Sequence, residues 1–132
     1  MICLRTGAGK TYIAIMLIKH MSHQIRGEFF IDEQNKGAKR TVFLVPTVPL
    51  VEQQANAIRM HCDLKVGEYI GAMNVDSWDK EVWKYEFENH EVLVMTAEIF
   101  RVIIMQGFVS PSKVNLLVFD EVSPFQTKLA IN

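Results

Sequence analysis

The chain has 132 residues, 49% hydrophobic and 22% charged, with a formal net charge of −1. That length holds at most one domain, and the composition is that of a core-forming chain rather than a disordered one. A charge so close to zero excludes a general basic surface for nucleic acid, so any such binding rests on local sites.

Met1–Leu4 reads as the tail of a buried strand and has no signal-peptide character. From Lys10 to about Ile25 apolar residues recur at helical spacing. Ile13, Met16, Leu17 and Met21 form the expected inner face, with Lys19, Ser22 and His23 on another side. Lys19 and His20 also interrupt the best apolar run, Tyr12–Met21, well short of a membrane span. Arg26–Arg40 is polar, carries Gly27 and Gly37, and predicts a surface loop anchored locally by Phe29-Phe30-Ile31.

Thr41–Val45 is a short β-branched run of the buried parallel kind. Pro46 stops it, and Thr47 is placed to cap a helix from Val48 to about Met60. Leu64–Ile70 predicts a strand, Gly71–Ser77 a turn-rich break, and Asp79–Asn89 an amphipathic helix. Val92–Met95 predicts another buried strand. A helix then runs from Thr96-Ala97 to about Gln106 and ends at Gly107, before a last strand at Val114–Phe119. This alternation predicts a parallel α/β sheet with helices on both faces, joined by right-handed crossovers.

The run Leu4-Arg5-Thr6-Gly7-Ala8-Gly9-Lys10-Thr11 lies between a strand and a helix, as a phosphate-binding loop does. Small residues let backbone N–H groups turn toward a β-phosphate, and the helix start adds its positive dipole end. Thr6, Gly7, Ala8 and Gly9 would form that cradle. Lys10 would neutralise the β/γ oxygens, and the Thr11 hydroxyl would hold Mg²⁺. Leu4 stands where the strict pattern has glycine, so a plain glycine turn before a surface lysine stays open on the motif alone.

Asp120-Glu121 follows the last strand, at the end of the sheet where open α/β folds bind ligands. Asp120 would hold Mg²⁺, directly or through water, and Glu121 would orient and deprotonate an attacking water. An isolated acidic pair is usually a solvated turn, but beside the glycine loop it reads as the other half of an ATP site. Pro46-Thr47 and Thr96-Ala97 open helices in the same manner. Their free N–H groups suit nucleic-acid phosphates, with ordinary helix capping as the simpler reading.

The remaining polar and aromatic candidates carry less. His20 and His23 have no evident metal partner. Trp78 and Trp83 read as packing residues, and Lys80, Glu81, Lys84 and Glu86 as a solvated face. Cys3 and Cys62, far apart and without a C-x-x-C pair, favour neither a disulfide framework nor a zinc site. A soluble, cytoplasmic protein is the expectation.

Leu4–Thr11 resembles motif I of superfamily-two helicases, in which the first glycine is often replaced. Pro46-Thr47-Val48-Pro49-Leu50 with Gln53 resembles motif Ia, Thr96-Ala97 a later nucleic-acid-contacting motif, and Leu116–Glu121 motif II. Gly37–Leu44, Val51–Arg59, Leu64–Tyr69 and Trp78–Trp83 narrow the resemblance to the N-terminal DExD/H-box helicase domain of Dicer proteins, of the insect antiviral type. The resemblance implies a RecA-like P-loop NTPase lobe with ATP and Mg²⁺ as ligands. It also implies double-stranded RNA as partner, in RNA interference. Another superfamily-two helicase lobe, or a non-catalytic truncated product, are the competing readings.

By this resemblance residues 1–121 form a partial ATP-binding lobe, incomplete at both ends and without the second helicase lobe. Residues 122–132 form a tail outside the family pattern. The family continues motif II with Cys-His, whereas Val122 and Ser123 stand here, and Val-Ser is what an in-frame splice-donor sequence encodes. The expectation is that Val122–Asn132 is translated intron or an artefact of gene prediction, and that Met1 is internal to a longer protein. Amplifying the transcript across the Glu121 codon tests this. The expected message lacks the tail as a spliced exon, and a message that contains it as one contradicts the reading.

Overall fold

The computed structural model describes residues 1–7, 11–33 and 36–120. The strands are β1 (Ile2–Thr6), β2 (Arg40–Val45), β3 (Val66–Tyr69), β4 (Val92–Thr96) and β5 (Val114–Asp120). The helices are α1 (Thr11–His20), α2 (Val48–His61), α3 (Lys80–Asn89) and α4 (Ala97–Met105). All strand pairs are parallel, in the order β1-β5-β2-β4-β3. The chain steps outward from β1 to β3 and returns from β3 to β5. Right-handed crossovers therefore put α1 and α2 on one face and α3 and α4 on the other.

The core divides accordingly. On one face Ala14, Ile15 and Ile18 of α1 and Val51, Ala55 and Ile58 of α2 pack on Phe43, Val45, Val92, Val94, Leu116 and Val118. On the other, Trp83 and Phe87 of α3 and Ile99, Phe100 and Ile103 of α4 pack on Val42, Leu44, Leu93, Met95 and Leu117. Alternation along the strands supplies both faces, as a sheet buried on both sides requires.

β5 departs from alternation once, and the departure matters. Val114 belongs to the α3/α4 face, while Leu116 and Val118 belong to the opposite one. The pairing with β2 skips Asn115: Arg40 faces Val114 and Thr41 faces Leu116. This extra residue reverses the phase of the strand beyond it, so Asp120, in step with Leu116 and Val118, turns toward the α1/α2 face. The bulge is held by side chains. The buried Thr41 hydroxyl donates to Asn115 Oδ1 at 2.8 Å, and Asn115 Nδ2 donates to Gln24 Oε1 at 3.1 Å.

Several sequence expectations need correction. α1 ends at His20, followed by a 3₁₀ turn at Ser22–Gln24, and its inner face is Ala14, Ile15 and Ile18. Ile13 and Met16 are more than half exposed. Every residue from Tyr12 to Ile18 is apolar, so periodicity could not select the stripe. The strand expected over Leu64–Ile70 is the shorter β3, and the last strand extends to include Asp120. Gly71–Ser77 is, as expected, irregular, with two 3₁₀ turns around Asn74 at φ 58°.

The segment between Arg26 and Arg40 is more than a surface loop. Phe29 stacks on Phe87 at 6.2 Å and lies under two cations, the Arg40 guanidinium at 4.6 Å and the Lys113 ammonium at 5.0 Å. Lys113 is completely buried, and its Nζ donates to the carbonyls of Glu33 and Lys36. Arg40 donates to the carbonyls of Ile25, Phe87 and Glu88. Carbonyl dipoles and a ring face, rather than carboxylates, satisfy both charges. Gly37, at φ +83°, bridges to Phe29, and a Cβ there would meet Glu28 O and the Phe30 ring at 2.6 Å.

Trp83 is a packing residue, as expected, with Trp78 at 4.8 Å and Tyr69 at 5.4 Å. Glu86 is not merely solvated: it accepts the Tyr69 hydroxyl at 2.8 Å. Both cysteines are free. No helix among the described residues is long and apolar enough to cross a membrane. Replacing Asn115 by alanine leaves the buried Thr41 hydroxyl without its acceptor, an effect of about 1–3 kcal/mol. Urea unfolding of the variant is expected to show that loss, and unchanged stability would contradict the role given to the bulge.

Candidate functional site

The strand registers bring the sequence-derived candidates to one edge of the sheet. Thr6 pairs with Asp120, Leu44 pairs with Phe119, and Val45 pairs with Thr96. Reading across β1, β5, β2 and β4, the carboxyl ends present Thr6, Asp120, Val45 followed by Pro46, and Thr96. Neighbouring strands lie about 4.8 Å apart, so the row spans about 14 Å. This is the edge where parallel α/β sheets gather their ligands, because every helix start and every strand end faces it.

Asp120 is the centre of the row. It is only 4% exposed, and each carboxylate oxygen meets a neutral donor. Gln54 Nε2 donates to Oδ2 at 3.0 Å, and Thr6 Oγ1 lies 3.3 Å from Oδ1. The same hydroxyl lies 3.3 Å from the Phe119 carbonyl, so its single hydrogen serves one acceptor at a time. Burial pushes the Asp120 carboxyl above the usual range, and the two donors pull it back. Neither donor is charged, so these two contacts orient the carboxylate without neutralising it.

Gly7 follows β1 and is half-buried, and a Cβ there would meet no atom of the described residues within 4 Å. It does not lie in the positive-φ region, so in this conformation glycine's freedom is not required there. Thr11 is the first residue of α1 and is half-buried. Ala8, Gly9 and Lys10, and likewise Glu121, lie outside the described residues.

At α2, Thr47 occupies the cap position, but its side chain makes no cap hydrogen bond, which corrects the expected capping. Thr96 before α4 makes none either. Asp79 before α3 does, accepting from the Val82 N–H at 3.1 Å. Pro46, Thr47 and Ala97 are exposed and Thr96 is half-buried. In the first turn of α2 Pro49 has no N–H and the Leu50 N–H donates to the Thr47 carbonyl, which leaves the Val48 N–H. This group and the first-turn N–H groups of α4 are without side-chain caps where the strands end, an arrangement that suits backbone phosphates.

Sequence reasoning singled out Gln53 and missed Gln54. Gln53 is exposed, whereas Gln54 is 7% exposed and reaches Asp120. The signal was available: Gln54 falls on the stripe Val51, Ala55, Ile58, and an amide on a buried apolar stripe needs a specific partner. A hollow of about 440 Å³, lined in part by His23, Gln24, Arg26, Lys39 and Asn115, lies at the opposite end of the sheet and takes no part in this site. Among the described residues no group of three or more His, Cys, Asp or Glu could cage a metal.

The sheet and its site edge are those of a RecA-like helicase lobe. The helicase domain of Hef from Pyrococcus furiosus aligns with a TM-score of 0.64 and 26% identity, over 91% of this chain and 23% of that one. The sequence pattern of the DEAD/DEAH box helicases matches residues 1–129, and the chain belongs to that family. Within it the chain is similar to a short stretch of Dicer proteins. It is 52% identical to Endoribonuclease Dicer-S of Xenopus laevis over 120 residues, covering 91% of this chain and 6% of the relative. It is 51% identical to Endoribonuclease Dicer of Gallus gallus, with the same coverage. Endoribonuclease Dicer homolog 2 of Arabidopsis thaliana is 46% identical over 118 residues, 89% of this chain and 8% of that protein. The chain thus spans less than a tenth of the length of these relatives.

The raised Asp120 pKa has a consequence for stability. A carboxyl whose folded pKa exceeds its unfolded value stabilises the fold below the unfolded pKa. That contribution is lost as pH rises through the folded one. Asp120→Asn, which keeps the shape without the charge, is therefore expected to raise the thermal midpoint at pH 7 more than at pH 3.5. Gln54 can turn its amide to face the new group. A midpoint lowered at pH 7 would contradict the placement of a buried, charged Asp120.

Proposed function

We propose that this chain is the ATP-binding part of a Dicer-type helicase that moves on double-stranded RNA in RNA interference, in the cytoplasm, and that it belongs to an antiviral Dicer of the insect type. The observation that carries the reading is the buried Asp120 carboxylate, oriented by neutral donors and aligned with two uncapped helix starts on one sheet edge. The sequence stretches noted above support the narrower assignment to an antiviral, insect-type protein.

The residues fit ATP with Mg²⁺. A carboxylate at the strand end and the Thr11 hydroxyl at the helix start are hard oxygen donors, suited to a cation that keeps several waters and shares phosphate oxygens. When bound, Mg²⁺ would supply positive charge that offsets the charge developing on the phosphates. Thr6, Gly7, Ala8 and Gly9 cradle the phosphates, Lys10 neutralises the β/γ oxygens, and Thr11 and Asp120 hold the cation. Glu121 orients the attacking water and takes its proton. Thr47, Thr96 and Ala97 grip the RNA backbone through their N–H groups and the threonine hydroxyls, while Pro46, which has no N–H, ends β2 and directs the chain to that contact.

The 132-residue chain on its own binds nucleotide and turns it over slowly. A second lobe of the helicase supplies an arginine to the γ-phosphate, and such residues contribute about 10³–10⁵ in rate where measured in related NTPases. Thermal unfolding with and without Mg-ATP tests the reading. A ligand at about 100 times its Kd stabilises by about 2.7 kcal/mol, and Lys10→Ala is expected to abolish that gain. Absence of any stabilisation by Mg-ATP would contradict it and favour an inert fragment. Duplex RNA is expected to outcompete duplex DNA for the same chain, and the reverse preference points to another superfamily-two translocase.

A further inference from the structure

The fold places an amide between the two ligand-facing features of the site. α2 starts at the nucleic-acid edge, and Gln54 lies seven residues beyond Thr47, about 10 Å along the helix. Val51, Ala55 and Ile58 seat the helix on the sheet through apolar contacts. Such contacts are non-directional and tolerate small sliding of a packed helix. The bond from Gln54 Nε2 to Asp120 Oδ2, at 3.0 Å, is directional and does not. A small shift of α2 along the sheet therefore registers first at the Asp120 carboxylate.

We propose that Gln54 is a positioning residue that couples nucleic-acid engagement at the start of α2 to the orientation of the metal-binding Asp120 carboxylate. The inference rests on the reading of ATP and RNA given under Proposed function. The donor chemistry suits the role. A lysine or arginine at this position would neutralise the carboxylate and compete with a cation, whereas an amide fixes its direction and leaves the charge for the metal. Thr6 cannot substitute, because its hydrogen is divided between Asp120 and the Phe119 carbonyl at the longer distance of 3.3 Å. Gln54 is thus the firmer of the two holds, and the one attached to the nucleic-acid-facing helix.

The test measures binding of a fluorescent ATP analogue with Mg²⁺ to the 132-residue chain, with and without a saturating RNA duplex. The ratio of the two affinities is the coupling, and it is reciprocal between the ligands. In the wild type RNA is expected to change nucleotide affinity about 5-fold or more. In Gln54→Met, of the same length but without a donor, the ratio is expected to fall to about 1, and in Gln54→Glu nucleotide affinity falls as well. The Gln54 side-chain amide resonance of the wild type should also move when RNA is added without nucleotide. That readout requires no variant to fold, and a purely structural glutamine would not produce it. A wild-type ratio retained in Gln54→Met, or an amide resonance indifferent to RNA, overturns the role of Gln54 alone. A wild-type chain that binds neither Mg-nucleotide nor RNA overturns the reading beneath it.

Discussion

Burying a carboxylate costs solvation, and the arrangement at the carboxyl edge of the sheet reflects that cost. As a proposed metal ligand, Asp120 has to stay ionised in a site that favours the neutral acid. A cation beside it would stabilise the charge but also consume it. Among the described residues two neutral donors, one from β1 and one from α2, direct both oxygens without neutralising the charge. Three segments far apart in sequence must converge for this, which ties the site to correct formation of the whole sheet.

The Asn115 bulge is the structural condition for that convergence. Without it, the alternation of β5 would carry Asp120 to the α3/α4 face, away from Gln54. The bulge sits at the far end of the strand, held by Thr41 and Gln24. The pinned segment around Phe29, Arg40 and Lys113 lies close by in sequence on β2 and ahead of β5. Groups remote from the candidate site thus set the direction in which Asp120 points.

Much of this was legible in the sequence. The strands β2, β4 and β5 stand out as short β-branched runs, and the helices between them require a parallel sheet. Thr6 and Asp120 were identifiable because glycine punctuation and an acidic strand end mark the two halves of the site. What escaped had physical reasons. α1 is apolar almost throughout, so no periodicity revealed which stripe is inside. Thr47 has the right residue type for a cap, but whether its hydroxyl turns to the helix is a conformational choice. Gln54 was overshadowed by its neighbour, since a motif pattern counts positions while burial depends on the helix face. The Asn115 bulge leaves no pattern in a strand of apolar residues.

In the proposed reading, Asp120, Thr6 and Gln54 form the metal side of a nucleotide site. Substituting Mn²⁺ for Mg²⁺ with ATP, and recording paramagnetic broadening of amide resonances, tests it most directly. Strong broadening is expected at Thr6, Thr11, Asp120 and the Gln54 side chain, with Asn74, Trp83 and Asn115 spared. Broadening centred elsewhere, or spread evenly over the chain, would contradict it.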